Sequence, residues 1–266
     1  MRPSASALLP LFAFTNLLTF SSLSGCTSEK VNGGDDTAGQ DTAGDAVCVD
    51  AATPACVDEM ILDLSMHDDK TSDGEVATTT DGGDFLTTVD ASGGGYNTYE
   101  NQPWVYIKFG ATGATRVDID DETSLESMDW DLSLRRFILR MNGGDSGPSC
   151  VGAAVLGEGY TYEDLTTVPD GISYQMDDYY TDDCTLVNDS SGLENSPQVV
   201  LGPWWDYPGC VATTGQPFLI QLADGSVVKL RVEAYYGGDG QDQCNSSGST
   251  TESGGFFTLR WSFLPE

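Results

Sequence analysis

Basic residues are scarce in this sequence. Its 266 residues include 11 lysines and arginines against 42 aspartates and glutamates, which gives a formal net charge of −31. Binding to nucleic acid requires clustered basic side chains that displace the counterions of the phosphates. The composition therefore predicts no nucleic-acid partner and no attraction to anionic membrane surfaces, and we interpret the acidic excess as an aid to solubility.

Histidine is almost absent, and His67 is the one imidazole in the chain. The segment Gly144–Pro148 (Gly-Asp-Ser-Gly-Pro) resembles the nucleophile segment of chymotrypsin-type serine proteases. A serine nucleophile needs an imidazole to accept its proton, and the residues around His67 do not match the histidine segment of that family. We therefore predict a glycine-rich turn at 144–148, no catalytic residue, and a protein that is not an enzyme.

Metal-binding patterns are also lacking. No two cysteines have the close spacing of a zinc site. The acidic run 118–122 suggests calcium, but an EF-hand loop has glycine at its sixth position and glutamate at its twelfth. This chain has Thr123 and Asp129 there. We predict a solvated turn at this run and no metal site.

The one long apolar run lies at 5–23, after Met1 and Arg2. The order of charged, apolar and small residues predicts a signal peptide at 1–25. Leu-Ser-Gly-Cys at 23–26 resembles the bacterial lipobox, in which Cys26 is acylated, although an ordinary signal peptide or an uncleaved anchor is an alternative. The run is too short and too rich in serine and threonine for a good membrane-spanning helix, which favours a lipid anchor. Thr27 after Cys26 favours sorting to the outer membrane or cell surface.

The rest of the chain divides by composition into three parts. Residues 26–47 repeat Gly, Asp, Thr and Ala without apolar periodicity, which predicts a flexible acidic linker. Residues 48–84 form a transitional segment with one predicted strand at 59–66. Residues 85–266 show short apolar-polar alternations separated by turn residues, typical of an antiparallel β domain. Predicted strands there are 85–91, 103–109, 130–141 with a bulge at Arg135-Arg136, 216–222, 228–234 and 257–263.

The cysteines fit an exported domain. Without Cys26, six remain, an even number that predicts three disulfides in an oxidising compartment. Free or metal-binding thiols are the alternative. Local pairing is our preferred assignment, which gives Cys48 with Cys56, Cys150 with Cys184, and Cys210 with Cys244.

Four segments carry a family resemblance: Pro103–Phe109, Trp130–Gly144, Val227–Tyr236 and Gly254–Trp261. Their order, together with the lipobox and acidic linker, resembles the HmuY-like haem-binding lipoprotein family over about residues 85–266. The resemblance implies an all-β antiparallel fold of two packed sheets with long loops. It also implies haem held at one end by two axial side chains, histidine in the best-known members and methionine in some relatives.

The sequence departs from that family at the axial ligands. No histidine lies in the matched region, so ligation by two histidines is impossible. Thioether ligation leaves Met176 and Met141 as candidates, with Met128 as a further one. Met176 is preferred because it lies in the long irregular segment 161–208, whereas Met141 continues the apolar face of a strand.

Four aromatic residues of the irregular segment are the predicted contacts for haem or another apolar planar ligand: Tyr179, Tyr180, Trp204 and Trp205. Tyr179 or Tyr180 could instead supply an oxygen ligand to the haem iron. For Trp204 and Trp205 the alternative role is packing within the protein.

Basic partners for the two haem propionates are few. The candidates in the matched region are Arg135, Arg136, Arg140 and Lys229. The sequence therefore predicts a lipid-anchored, non-catalytic binding protein, with haem as its possible cofactor and ligand. The alternative is a structural or adhesive surface lipoprotein that has lost haem binding.

Overall fold

The computed structural model describes Cys48, residues 52–193 and residues 195–265. The predicted signal peptide, the lipidation site Cys26 and the linker lie outside the described residues. In chain order the elements are α1 (Val57–Asp63), β1 (Val76–Asp81), β2 (Asp84–Asp90), β3 (Val105–Lys108), β4 (Thr115–Val117), α2 (Asp121–Ser124), β5 (Leu132–Arg135), β6 (Ile138–Met141), β7 (Gly152–Val155), β8 (Trp205–Asp206), β9 (Ala212–Thr213), β10 (Phe218–Gln221), β11 (Val227–Tyr236), α3 (Gly240–Ser247) and β12 (Gly254–Phe263).

Two large antiparallel sheets form the domain, which confirms the predicted fold, and a small third sheet pairs β8 with β9. One has six strands in the order β1-β2-β12-β11-β10-β7, and the other has four in the order β4-β3-β5-β6. A single core cluster takes Leu230 and Trp261 from the first sheet and Ile107 and Leu134 from the second. The two sheets therefore pack face to face, and the alternation of apolar residues along β11 and β12 gives the inner face of the larger sheet.

The smaller sheet is also covered on its other face. Tyr106 and Ile138 point away from the main core into a second cluster, where Trp104 and Trp130 are fully buried. Residues of α1 and of the irregular segment complete this cluster. Because both faces of β5 and β6 are buried, every residue of these two strands is inaccessible to solvent, including the charged ones.

The predicted strand at 59–66 is wrong, since α1 begins at Val57. Met60 and Leu64 are buried, while Leu62 between them is 77% exposed. Buried residues four apart share one face of a helix. The segment is too short for its apolar pattern to distinguish a helix from a strand, and packing against the second core stabilises the helix.

The predicted bulge at Arg135-Arg136 is also wrong. Arg135 pairs with Ile138, so β5 and β6 are joined by a two-residue hairpin turn at Arg136 and Phe137. Arg136 has φ of 51°, the left-handed backbone that such a turn uses. The apolar phase changes because the chain reverses direction, and not because one strand carries an extra residue.

All six cysteines form disulfides, and one predicted pair is confirmed. Cys210 is bonded to Cys244, whereas the pairs Cys48–Cys56 and Cys150–Cys184 are wrong. Cys48 is bonded to Cys150 across 102 residues, and Cys56 to Cys184 across 128. Proximity in the folded domain, rather than along the chain, sets these two pairs.

No helix in the described part of the chain has the length and apolar character that a membrane crossing requires. The six-stranded sheet instead presents a charged outer face, where Arg260 bonds to Asp81 at 2.8 Å and to Glu233 at 2.5 Å.

Two of the three disulfides close loops of very different length, and we expect them to differ in their effect on the free energy of unfolding. Cys56–Cys184 closes 128 residues and Cys210–Cys244 closes 34. Since a longer closed loop removes more entropy from the unfolded chain, we expect the double variant Cys56→Ala/Cys184→Ala to lose about 1 kcal/mol more unfolding free energy than Cys210→Ala/Cys244→Ala. Urea unfolding measures both, and an equal or reversed loss would contradict the loop-closure account.

Candidate functional site

A buried carboxylate fixes the irregular segment 161–208 to the smaller sheet. Asp177 is 1% exposed. Its oxygens accept hydrogen bonds from the backbone of Met141 (3.0 Å) and Val200 (2.9 Å) and from the Ser146 hydroxyl (2.7 Å). One side chain therefore joins a core strand, the turn after it and two separate points of the segment.

The turn at 144–148 provides the second attachment. Asp145 accepts hydrogen bonds from the backbone of Tyr179 at 2.6 Å and of Tyr180 at 2.7 Å. Gly144 has φ of +64°, and a Cβ there would lie 2.0 Å from the Asp177 carbonyl oxygen, so only glycine allows the segment to approach this closely. The predicted glycine-rich turn is present, and it anchors the segment.

Ser146 is not arranged as a nucleophile. It is fully buried, and its hydroxyl is hydrogen-bonded to Asp177 and, at 3.0 Å, to Tyr179. The ring Nε2 of His67 lies 2.9 Å from the carbonyl oxygen of Glu100, a contact unrelated to Ser146. This geometry lacks the serine–imidazole hydrogen bond that acyl transfer requires.

Arg140 supplies the positive charge of the second core. The guanidinium lies 4.3 Å from the Trp104 ring centroid, with Nη1 3.5 Å from the sulfur of Met60. Burial raises the pKa of Asp177, against the opposing effects of its hydrogen bonds and of Arg140. The negative charges of Asp121 and Asp177 thus offset part of the cost of removing Arg140 from water.

Most of the predicted basic partners for the haem propionates are buried or already hydrogen-bonded within the protein. Arg135, Arg140 and Lys229 are buried, and desolvation lowers the pKa of Arg135 to about 10. Lys229 donates to the Tyr162 carbonyl oxygen. Arg136 is half-buried and donates to the Gly254 carbonyl oxygen at 2.7 Å.

Met176 lies on the surface, with 47% of the residue exposed. Its neighbours on both sides are fixed, because Gln175 exchanges backbone hydrogen bonds with Ala153 and Asp177 is the buried anchor. A Cβ on Gly143 would lie 3.2 Å from Met176 Cγ, so the side chain crosses the glycine turn closely. The structure therefore presents one thioether on a rigid backbone.

Met141, the other predicted thioether ligand, is fully buried in the core between the two sheets. It faces away from solvent because β6 alternates, with Met141 and Leu139 on the inner face. Its packing role excludes it from an axial position in this conformation. Met128 is half-buried.

Three of the four predicted aromatic contacts are buried, contrary to the expected exposure. Tyr179 and Tyr180 belong to the second core, and Trp204 belongs to the main core, where its indole donates to the Phe137 carbonyl oxygen at 3.1 Å. Tyr180 donates to Asp63 of α1 at 3.2 Å. The irregular segment has few regular hydrogen bonds, so its large aromatic side chains hold it to the sheets.

Trp205, the fourth, is half-buried and lines a groove of about 430 Å³. Tyr207, which is not among the residues predicted from the sequence, is 54% exposed on the same groove. Trp204 ends a short helical turn with its ring in the main core, and the chain then emerges, so that Trp205 is half-buried and Tyr207 exposed. No local sequence pattern marks Tyr207 as exposed.

The acidic run 118–122 has structural roles. Asp120 caps α2 by accepting from the Thr123 backbone at 2.8 Å, and Asp121 is buried, accepting from the Trp104 backbone at 2.9 Å and the Tyr106 hydroxyl at 3.0 Å. The prediction that the whole run is a solvated turn is thus wrong for Asp121. Among the described residues no group of three potential ligands is placed to hold a metal ion.

Substitution of the anchor should destabilise the domain. In Asp177→Asn, an amide NH₂ must face one of three buried donors, which leaves unpaired groups and removes the charge opposite Arg140. We expect a loss of about 3 kcal/mol of unfolding free energy, measured by urea denaturation. The matched variant Asp182→Asn changes an exposed carboxylate of the same segment and should shift stability by less than about 0.5 kcal/mol. Similar losses in both would show that Asp177 is not an anchor.

Comparison with known proteins identifies the family. The sequence model of the HmuY protein family matches residues 100–247, which is 148 of the 266 residues. No curated protein matches.

Solved structures also resemble the chain. A candidate HmuY-like haem-binding protein from Bacteroides vulgatus is 18% identical, with 74% of this chain and 100% of that chain covered and a TM-score of 0.42. The apo HmuY analogue of Tannerella forsythia is 15% identical, with 74% and 100% covered and a TM-score of 0.38. A candidate lipoprotein from Bacteroides fragilis is 18% identical, with 71% and 94% covered and a TM-score of 0.38. Since the family match spans more than half of the sequence, this chain belongs to the HmuY protein family.

Proposed function

We propose that this chain is a non-catalytic surface lipoprotein that captures haem, with Met176 as an axial ligand. The observation that carries the proposal is Met176 itself, a methionine that is 47% exposed and has fixed neighbours on both sides. Membership of the HmuY family supports haem as the ligand. The buried Ser146 and the separate contacts of His67 support a binding role over catalysis.

The donor set suits one protein ligand and not two. Haem supplies an iron that accepts a soft thioether ligand, and Met176 offers one. The matched region contains no histidine, and Met141 is fully buried in the core. We therefore propose single thioether ligation, which is weaker than ligation from two sides.

The positions of the basic residues also favour a modest affinity for haem. Of the four predicted basic partners, Arg136 alone is half-buried, and the other three are buried. Propionates gain most from paired, charge-assisted hydrogen bonds, and the buried side chains leave few donors for them. The propionates of a bound haem would then point to solvent.

Export and anchoring form part of the proposal. The lipobox-like Leu-Ser-Gly-Cys at 23–26 would place a lipid on Cys26, and residues 26–47 would hold the domain away from the outer membrane. Three disulfides among the described residues suit an oxidising compartment. The lipid is then the contact with the membrane.

One observation favours a second function. Tyr179, Tyr180 and Trp204 are buried, so the irregular segment offers a planar ligand less aromatic surface than its sequence suggests. A family member that lost haem binding and serves as a structural or adhesive surface lipoprotein would have this arrangement.

A haem titration of residues 47–266 distinguishes the two functions. We expect a saturable shift of the Soret band, and at least about tenfold weaker binding in Met176→Leu, because leucine fills a similar volume without a sulfur donor. Met128→Leu tests the remaining thioether candidate, which is half-buried; because we propose Met176 as the one protein ligand, this variant should bind haem as the parent protein does.

Each other result has a definite meaning. A spectrum of free haem in the parent protein would exclude haem capture and favour the structural or adhesive function. Haem binding that Met176→Leu leaves unchanged would retain the function and exclude Met176 as its ligand.

A further inference from the structure

The groove beside Trp205 has two aromatic walls that meet at a corner. The rings of Trp205 and Tyr207 are 6.3 Å apart between centroids and stand at 88° to each other. Gly202 and Pro203 line the groove between the aromatic residues and the chain around Ser191. A compact group placed in the corner would touch the face of one ring and lie beside the other.

Local structure holds the aromatic side of the groove in place. Trp205 pairs with Thr213 in the two-stranded sheet β8-β9. The Thr213 backbone donates to Asn245 of α3 at 3.0 Å, and the Cys210–Cys244 disulfide joins the same hairpin to the same helix. The Trp205 ring also packs on Phe137 at 5.1 Å. A preformed wall loses little conformational entropy when a ligand binds.

The opposite side is equally fixed. Asp189 accepts hydrogen bonds from the Ser191 backbone at 2.9 Å and from the Ser196 hydroxyl at 2.6 Å, and Ser196 is buried. These hydrogen bonds fix the orientation of the Asp189 carboxylate.

The groove is acidic. Asp189 and Asp206 line it, and none of its lining residues is basic. Neither carboxylate forms an ion pair among the residues that the structure describes. Two negative charges therefore lie beside two aromatic rings without a cation to balance them.

We propose that this groove binds an alkylated ammonium group of a small organic cation. Aromatic faces attract cations, tryptophan most strongly, and their methyl or methylene substituents gain contact with the rings. Asp189 and Asp206 add Coulombic attraction at close range. Met176 does not line this groove, and the same charges disfavour haem propionates, so we treat the groove as a site separate from Met176.

The ring geometry argues against a neutral saccharide as the ligand. Stacking of a sugar requires one flat and open ring, whereas Trp205 is half-buried and Tyr207 stands across it at 88°. A neutral sugar would also leave the two negative charges unbalanced. The corner and the charge both favour a compact cation.

Titration of the purified protein with choline chloride tests the proposal against an uncharged molecule of the same shape, 3,3-dimethylbutan-1-ol. Tryptophan fluorescence reports this groove because Trp104, Trp130, Trp204 and Trp261 are at most 1% exposed, which leaves Trp205. Saturation-transfer NMR on the methyl protons provides an independent readout. We expect saturable binding of choline, weakened by added salt, and no saturable binding of the neutral isostere.

Three variants locate the binding. Tyr207→Ala and Asp206→Asn alter exposed groove residues and should each weaken choline binding about three- to fivefold. Asp58→Asn removes the same charge from an exposed position on α1 and should leave the affinity unchanged.

The proposal is overturned by any of three results. One is the absence of choline binding in the parent protein. Another is equal binding of choline and the neutral isostere, which would indicate an apolar groove without charge selectivity. The third is an equal effect of Asp58→Asn and Asp206→Asn, which would assign binding to the overall negative charge of the domain.

Discussion

The smaller sheet buries the charge of Arg140 in the second core, and the rest of the domain depends on how that charge is balanced. Arg140 projects from β6 into the second core, onto Trp104 and the sulfur of Met60. An isolated charge there would cost several kcal/mol. Asp121 and Asp177 offset part of that cost, and Asp177 does so from a segment with almost no regular structure of its own. The hydrogen bonds of its carboxylate to Met141 and Ser146 hold that segment against the sheet.

The positions of both candidate sites follow from this anchor. Met176 directly precedes Asp177, so its backbone is fixed while its side chain remains 47% exposed. Val200 donates to the same carboxylate, and the chain from Val200 continues to the half-buried Trp205. Stability and binding geometry are coupled here, because a loop held by a buried carboxylate loses less entropy when it binds a ligand. A loop held by exposed contacts would not have this property.

The sequence predicts the fold correctly where a residue pattern is compatible with one structure only. Alternation along β11 and β12 predicts an inner and an outer face, and both are present. Prediction failed where distant contacts decide. Cys56 bonds to Cys184 because the irregular segment packs against α1, and neither fact is visible in local spacing. Exposure of Tyr179 was inferred from its irregular surroundings, yet irregular backbone needs side-chain packing more than a strand does. Tyr207 was missed because exposed aromatics have no sequence period.

The two candidate sites, at Met176 and in the groove beside Trp205, differ more clearly in the charge of the ligand that suits them than in their shape. The domain has a large negative charge, and several of its few basic residues are buried: Arg140 and Arg135 in the second core, and Lys229 against Tyr162. We therefore expect an anionic ligand at Met176 to bind mainly through coordination, which a thioether on a fixed backbone can provide. A cationic ligand needs no such bond, since carboxylates and aromatic faces attract it directly. Burial of Arg135 and Arg140 thus removes two cations from the surface, and the two proposed sites use different chemistries, soft coordination at Met176 and cation binding in the groove.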